Sequence, residues 1–595
     1  MKIGIAISGG GYRATSFGLG TFSYLNHIQF ENKPLLQHTI ALSTVSGGSI
    51  VGLTYAQWTK AGLHFDDYFK WLYDRVTTFD LVTDAVDKYV ADSKKNSLIE
   101  GFSSSYGDNF LTHRKFWSIQ PNYNEGKYDT HLLYYSINST DFNTGTPFRF
   151  VAQQSNWSEY LVRNGLTTKN RKNETTSSMD PFIVGNSFFR LDKDIQKIPL
   201  NVALASSSCF PGGFEPIILR MEDHLEKRNG LHEEVALMDG GIVDNQGGDA
   251  IVDFQKKIPL DFVFVVDSAS PNITKYDQSH PTKIPFIGDC NIKFLTQWTY
   301  ILTGVFALAL ILSLCSNTLF TLLFTVLTTI FAVLTFVSLK LKNTLNKTVV
   351  DKGLNELTLK PLNHLTPNTI KQLLFNRVES LELLIGSVFM KHIRRLNMEN
   401  LFEVNTLKRK ILYNTLYQNK ILSENETFLK LNISQKGIFK KYIKKVQDEI
   451  LKEMILNGDV HEKEIVDEKI LQKIQSSEAF EKRLNEILGG IPEISKRAFE
   501  MGTTLWVSKN EEGKNIVKDV IVTGQISTCV NIINNEEIKN NYIDIHNQAI
   551  ADWEKFKKNP YWLFDKFLEN PNDVNAIFKA EQIKQDAYYN KEINI

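Results

Sequence analysis

No charged residue occurs between Lys293 and Lys340 in this 595-residue chain. An uncharged stretch of that length has few stable homes, because a soluble helix keeps one polar face. Crossing a bilayer core takes about 20 apolar helical residues. Two such spans fit, at residues 297–315 and 318–339, with Cys315-Ser316-Asn317-Thr318 as the turn. The threonines and serines of the second span are tolerated because their hydroxyls bond back to their own helix. Lys293 precedes the stretch, and Lys340, Lys342 and Lys347 follow it. Positive flanks favour the cytoplasmic side, so both ends are expected there. A re-entrant hairpin is the alternative to a full crossing.

The rest of the chain has a globular composition, 42% hydrophobic and 23% charged, which supports a large core. The 67 basic residues balance the 67 acidic ones, so no global field draws in nucleic acid. The four cysteines (Cys209, Cys290, Cys315, Cys529) are far apart with no CxxC pair. That excludes a zinc ribbon or disulfide framework and fits a reducing compartment.

Residues 2–8 (KIGIAIS) fit a short buried strand. Strand and glycines stand where a cleavable signal would need basic, apolar and small-residue stretches, so a cytosolic N-terminal portion is expected. Gly9-Gly10-Gly11 follows, then a helix that puts Phe17, Leu25 and Ile28 near one face, with Phe22 at its edge. Strand, glycine loop and helix N-terminus together present outward N–H groups to a negative charge. Two chemistries use such a loop. Gly9-x-Gly11-x-x-Ala14 fits a dinucleotide fingerprint, with Glu31 about twenty residues on. The other use is an oxyanion hole for acyl transfer. The absence of G-K-[ST] excludes a P-loop.

Residues 39–43 fit a second strand, and Thr44-Val45-Ser46-Gly47-Gly48-Ser49 fits a nucleophile elbow. Ser46 is preferred over Ser43 and Ser49 because two glycines follow it directly. Thr44 stands where the G-x-S-x-G form has its first glycine. Residues 234–243 (EVALMDGGIV) fit a strand ending at Asp239-Gly240-Gly241. A Ser-His-Asp triad needs a histidine, and His280, His364, His392, His461 and His546 all follow Asp239, none in a glycine-flanked loop. An α/β-hydrolase arrangement also needs several strands before its nucleophile, and 45 residues precede Ser46. A dyad in which Asp239 is the direct base for Ser46 fits better.

These segments together resemble the patatin-like phospholipases, in the wider group that includes cytosolic phospholipase A2. Ser8 to Ala14 is similar to the family's oxyanion loop, Thr44 to Ser49 to its elbow, and Asp239-Gly240-Gly241 to its acid/base turn. Residues 136–150 resemble its strand–turn–strand, and residues 203–217 its small-residue helix and proline loop. Asn245 matches the asparagine that often follows the family's DGG; the proline expected after it is missing. The resemblance spans about residues 1–270. It implies a three-layer α/β/α sandwich and a Ser46–Asp239 dyad. It also implies an oxyanion hole from Gly9, Gly10, Gly11 and Gly47, with Arg13, Gly240, Gly241 and Asn245 in support. Neither metal nor cofactor is implied. The substrate would be a membrane phospholipid or lysophospholipid, cut at an acyl ester. Arg13 would brace the loop or meet a lipid phosphate. Bacterial members include toxins and defence effectors, so a regulatory partner is conceivable, and the bacterial inner membrane is the expected location, with catalysis on the cytoplasmic side. A membrane-anchored scaffold without chemistry is the competing reading, motivated by Thr44; a nucleotide-binding enzyme is the weaker one.

The expected organisation is a catalytic core at 1–290, the transmembrane or re-entrant hairpin at 291–345, and a mainly helical region at 346–595. In that last region Thr366 caps a helix that starts at Pro367, and residues 440–455 (KKYIKKVQDEILKEMI) fit a charged helix. Residues 502–508 and 517–523 read as strands that would complete the catalytic sheet after a long insertion. Trp553, Trp562 and Phe564 fit a helical tail.

Overall fold

Ile3–Ile7 (β1) is buried along its whole length, as a strand with helices on both faces must be. Its neighbours in the sheet repeat the pattern. Ile3, Ile5 and Ile7 share one core with Phe262, Phe264 and Val266, while Ala6, Val263 and Val265 line a second core on the opposite face. That alternation makes the architecture three-layered, α/β/α. The computed structural model describes residues 1–154, 198–220, 234–268, 292–314, 318–351, 366–416, 439–457, 477–569 and 572–577, apart from a few isolated positions within and between them. Two compact units form: Met1–Asn272 together with Val388–Ile595, and Ile273–Ser387.

Among the described residues, the sheet of the first unit has eight strands. After β1 come Thr39–Val45 (β2), Tyr134–Asp141 (β3), Thr146–Gln153 (β4), Ile217–Arg220 (β5), Glu234–Asp239 (β6), Phe262–Asp267 (β7) and Ile411–Thr415 (β8). The order is β8-β7-β1-β2-β3-β6-β5, with β4 also on β3. β8, β7, β1, β2 and β3 run parallel. β4 pairs with β3 antiparallel over all of Tyr134–Asp141 and so occupies one edge of it. β2 and β6 therefore share the other edge. β2 pairs with residues up to Asn138, and β6, running the opposite way, pairs from Ser139 onward. The C-terminal ends of β2 and β6 meet on adjacent positions of one strand.

Helices cover both faces. Gly11–His27 (α1) and Gly47–Lys60 (α2) follow β1 and β2 on one side, and Leu200–Ser207 (α3) packs with them. Gly248–Lys257 (α4) lies on the other.

The expected strands at 502–508 and 517–523 are not strands. Residues 502–508 are irregular, and 517–523 lie within the helix Glu511–Asn534. Asn510 caps it by accepting the Gly513 N–H at 2.9 Å, with Glu511 and Glu512 favourably placed in its first turn. The helix is packed against α1 so closely that a Cβ on Gly20 would sit 2.1 Å from the Ile521 carbonyl oxygen. From Asp519 to Val530 it is buried without a break, so it has no polar stripe, and an apolar β-branched run without a helical period reads as a strand. The strand that extends the sheet after the insertion is β8, paired with β7 from Val263↔Ile411 to Asp267↔Thr415.

The second unit contains Ile292–Ser313 (α5), Thr318–Asp351 (α6) and Pro367–Leu383 (α7). α6 runs past the expected limit at 345. Residues 315–317 of the expected turn fall outside the described residues. α5 and α6 pair through Thr303 and Thr335 hydroxyls 3.1 Å apart and stacked Phe306 and Phe331 rings. Thr325, Thr328 and Thr329 donate to the carbonyls four residues earlier at 2.7–2.8 Å, which satisfies these hydroxyls within the helix. Leu319–Phe336 is apolar and long enough to cross a membrane, yet only 6% of it is buried in the protein. Exposed leucines of this density suggest membrane association. Glu511–Asn534 passes the same length and composition test but is a core helix of the first unit. Thr366 caps α7 as expected, accepting the Thr369 N–H at 3.2 Å.

Met390–Glu403 (α8) returns the chain to the first unit. Arg394 on α8 donates from Nε to the Asp267 carboxylate at 2.7 Å, and the Tyr413 hydroxyl donates to the same oxygen. Both ions are buried. The pair ties the strand that precedes the insertion to the helix that follows it. Arg394→Met leaves the Asp267 charge buried without its cation, so stability is expected to fall by about 3–5 kcal/mol. Urea unfolding of the first unit's tryptophans in detergent checks it.

Candidate active site

The meeting of β2 and β6 creates the site. β2 ends at Val45 opposite Asn138, and β6 ends at Asp239 opposite Ser139. The next residue after β2 is Ser46, at φ 51 and ψ −123. A non-glycine residue in that region stores roughly 1–3 kcal/mol of strain and is held there by its surroundings. The Ser46 N–H donates to the Ser207 hydroxyl at 2.9 Å, and Ser207 donates onward to the Asn138 carbonyl at 2.6 Å. Asn138 Nδ2 in turn bonds the Thr44 carbonyl at 2.9 Å and the Ser43 hydroxyl at 2.8 Å. The elbow is thus held from α3 and β3 together.

Thr44 is accommodated by this arrangement. Its hydroxyl meets the Tyr135 hydroxyl at 3.0 Å and accepts from Ser49 at 3.0 Å. Its methyl fills space left by Gly52 on α2, where a Cβ would come within 2.5 Å of Thr44 Cγ2. The room that a glycine would leave in the strand comes from the helix instead. Ser43 and Ser49 are fully buried in these networks. Ser46 alone of the three serines has the elbow conformation.

Asp239 is buried, and its Oδ1 accepts the Gly241 N–H at 2.7 Å. Burial raises its pKa to about 6, opposed by the Gly241 N–H and by the nearby Ser46 hydroxyl. The Asp239 N–H donates to the Cys209 carbonyl at 3.0 Å, and its own carbonyl accepts from Thr140 at 2.9 Å. Backbone and carboxylate are therefore both fixed. Gly240 stands where a Cβ would be 2.3 Å from the Asn138 carbonyl oxygen. No histidine among the described residues hydrogen-bonds Ser46 or Asp239; His392 is exposed on α8, and His546 bonds the Ile533 carbonyl.

The glycine loop divides its expected roles. The Gly9 N–H is spent on the Asn245 carbonyl at 3.0 Å, so Gly9 and Asn245 anchor the loop and Gly9 does not serve as an oxyanion donor. The N–H groups of Gly10, Gly11 and Gly47 bond no acceptor among the described residues. Gly47 lies so close to the loop that a Cβ there would be 2.0 Å from the Gly11 carbonyl oxygen. Elbow and glycine loop thus pack directly against one another at Gly47 and Gly11. Gly47→Ala forces them apart, and kcat is expected to fall about 10²–10³-fold, the loss that follows removal of one oxyanion donor. Steady-state ester hydrolysis with the variant's thermal unfolding alongside checks it.

Arg13 turns inward. Its Nη1 donates to the Met501 carbonyl at 2.9 Å and its guanidinium lies 5.9 Å from the Phe499 ring centre. Burial lowers its pKa to about 10. It braces the segment after Phe499 and is not presented to a lipid phosphate. That segment also covers the start of α1, where the Tyr12 N–H donates to the Thr504 carbonyl at 2.8 Å. A dinucleotide pyrophosphate would use the N–H groups of this helix terminus, and the Thr504 carbonyl takes the one at Tyr12. Ser207, Asn138 and the 501–504 segment were not singled out from sequence. The run Ser206-Ser207-Ser208 was the available signal for Ser207.

A comparison with curated proteins finds no match. Residues 5–247 match the family model described as patatin-like phospholipase. The glycine loop, the elbow and the Asp239 turn all fall inside that span; the chain carries a patatin-like phospholipase domain, which points to lipid acyl hydrolysis in general.

Proposed function

We propose that this chain is a membrane-associated lipid acyl hydrolase of the phospholipase A or lysophospholipase type, working through a Ser46–Asp239 dyad and an acyl-enzyme. The observation that carries the reading is a serine in strained elbow conformation next to a buried carboxylate whose pKa it helps to hold down, with N–H groups of Gly10, Gly11 and Gly47 that bond no acceptor among the described residues. Asp239 takes the Ser46 proton as the Oγ attacks the ester carbonyl. The N–H groups of Gly10, Gly11 and Gly47 receive the charge that develops on oxygen. The tetrahedral intermediate collapses, and Asp239 returns its proton to the departing alcohol, which is the lysophospholipid or, from a lysophospholipid, the glycerophosphodiester. Water then gives its proton to Asp239 and attacks the acyl-enzyme, and the fatty acid leaves as Ser46 is reprotonated. The apolar helices α5 and α6 support anchoring in a bilayer, and the lysines flanking them support a cytoplasmic placement of the catalytic unit.

A fluorophosphonate probe tests the nucleophile: it should label Ser46, and wild-type protein left unlabelled under conditions that permit ester turnover would overturn the reading. The pH profile tests the base. Asp239 must be ionised to accept a proton, and burial raises its pKa to about 6. In kcat/KM the activity is expected to be full above that value and to fall tenfold per pH unit below it. A limb near pH 4 would point to an unperturbed carboxylate instead.

A further inference from the structure

Three chain segments distant in sequence bring exposed aromatic side chains to the loops of the site. Phe210 follows Cys209, whose carbonyl accepts the Asp239 N–H. Phe389 precedes Met390, whose methyl lies against Gly241, the residue that donates to the Asp239 carboxylate. Trp506 is two residues past Thr504, which sits on Gly11 and Tyr12, and the Thr504 hydroxyl fixes the turn by donating to the Trp506 carbonyl at 2.9 Å. Phe210, Phe389 and Trp506 are 39%, 48% and 59% exposed. Aromatics exposed around one site mark a contact surface, and tryptophan is the side chain that suits a membrane–water boundary.

Charge selects the occupant. The first two turns of α8 carry Lys391, His392 and Arg395, and no acidic residue precedes Glu399. Arg394 is turned inward to Asp267, leaving exposed His392 and Arg395 on the outer side.

We propose that the mouth of the site docks on an anionic lipid surface, with Phe210, Phe389 and Trp506 entering the headgroup layer so that a lipid ester reaches Ser46 from the bilayer. The proposal rests on the acyl-hydrolase reading and goes beyond anchoring by the hairpin, because it gives the catalytic unit its own lipid contact.

The test uses the full chain in proteoliposomes of phosphatidylcholine and phosphatidylglycerol. Wild type is compared with a Phe210→Ser, Phe389→Ser, Trp506→Ser triple variant on two substrates: the bilayer phospholipid and a water-soluble short-chain ester. Bilayer hydrolysis is expected to fall at least about tenfold as apolar anchoring is lost, with soluble-ester turnover held within about twofold. Loss of both activities together, or of neither, overturns the proposal. A second measurement does not depend on turnover. Lipids brominated near the headgroup should quench wild-type fluorescence more than that of Trp506→Phe, and equal quenching overturns the docking. If neither ester is cut but the quenching difference is present, the hydrolase reading fails while the lipid contact stands.

Discussion

Ser46→Ala is expected to lower kcat for ester hydrolysis by roughly 10⁴–10⁶-fold, the range found when a serine nucleophile is removed from a catalytic unit. The variant should fold. Alanine leaves the Ser46 N–H bond to Ser207 in place, and the elbow is braced by Asn138, Ser207 and Thr44 rather than by the Ser46 side chain. The other nearby serines cannot substitute, because Ser43 and Ser49 are fully buried and hydrogen-bonded. Activity within tenfold of wild type, with an intact thermal transition, would remove Ser46 from the mechanism. Burst kinetics with a chromogenic ester add a second readout: an initial acyl-enzyme burst in wild type and none in the variant.

Asp239→Asn is expected to cost about 10⁴-fold in kcat, the order seen when the carboxylate of a serine hydrolase is neutralised. An amide at this position keeps the size and can keep the Gly241 contact, so the loss reports on the base. The sharper signature is in pH. With Asp239 gone, the acidic limb expected near pH 6 should vanish from the residual rate. A limb that persists in the variant would assign it to another group. His131 does not fit that role, since burial lowers its pKa to about 4 and its ring bonds Tyr55.

The parts of the site carried by small residues at tight turns were legible in the sequence. Gly10-Gly11, Ser46-Gly47 and Asp239-Gly240 each announce a place where chains approach too closely for a Cβ. What brings Ser46 to Asp239 was not legible. It is the register of β3, along one edge of which β2 ends at Asn138 and β6 ends at Ser139, and pairing between strands about 190 residues apart leaves no local mark. The helix Glu511–Asn534 was misread because burial on every side erases the helical period. β8 was missed because its five residues alternate only weakly between half-buried and buried positions. Arg13 could be placed near the loop from sequence, but its choice of the Met501 carbonyl depends on a segment nearly 500 residues away.

The most direct measurement is product release from mixed-phospholipid proteoliposomes, read by mass spectrometry for wild type, Ser46→Ala and Asp239→Asn. Free fatty acid and lysolipid should appear together with wild type and fall to background in both variants. Release that is undiminished in either variant would contradict the Ser46–Asp239 dyad.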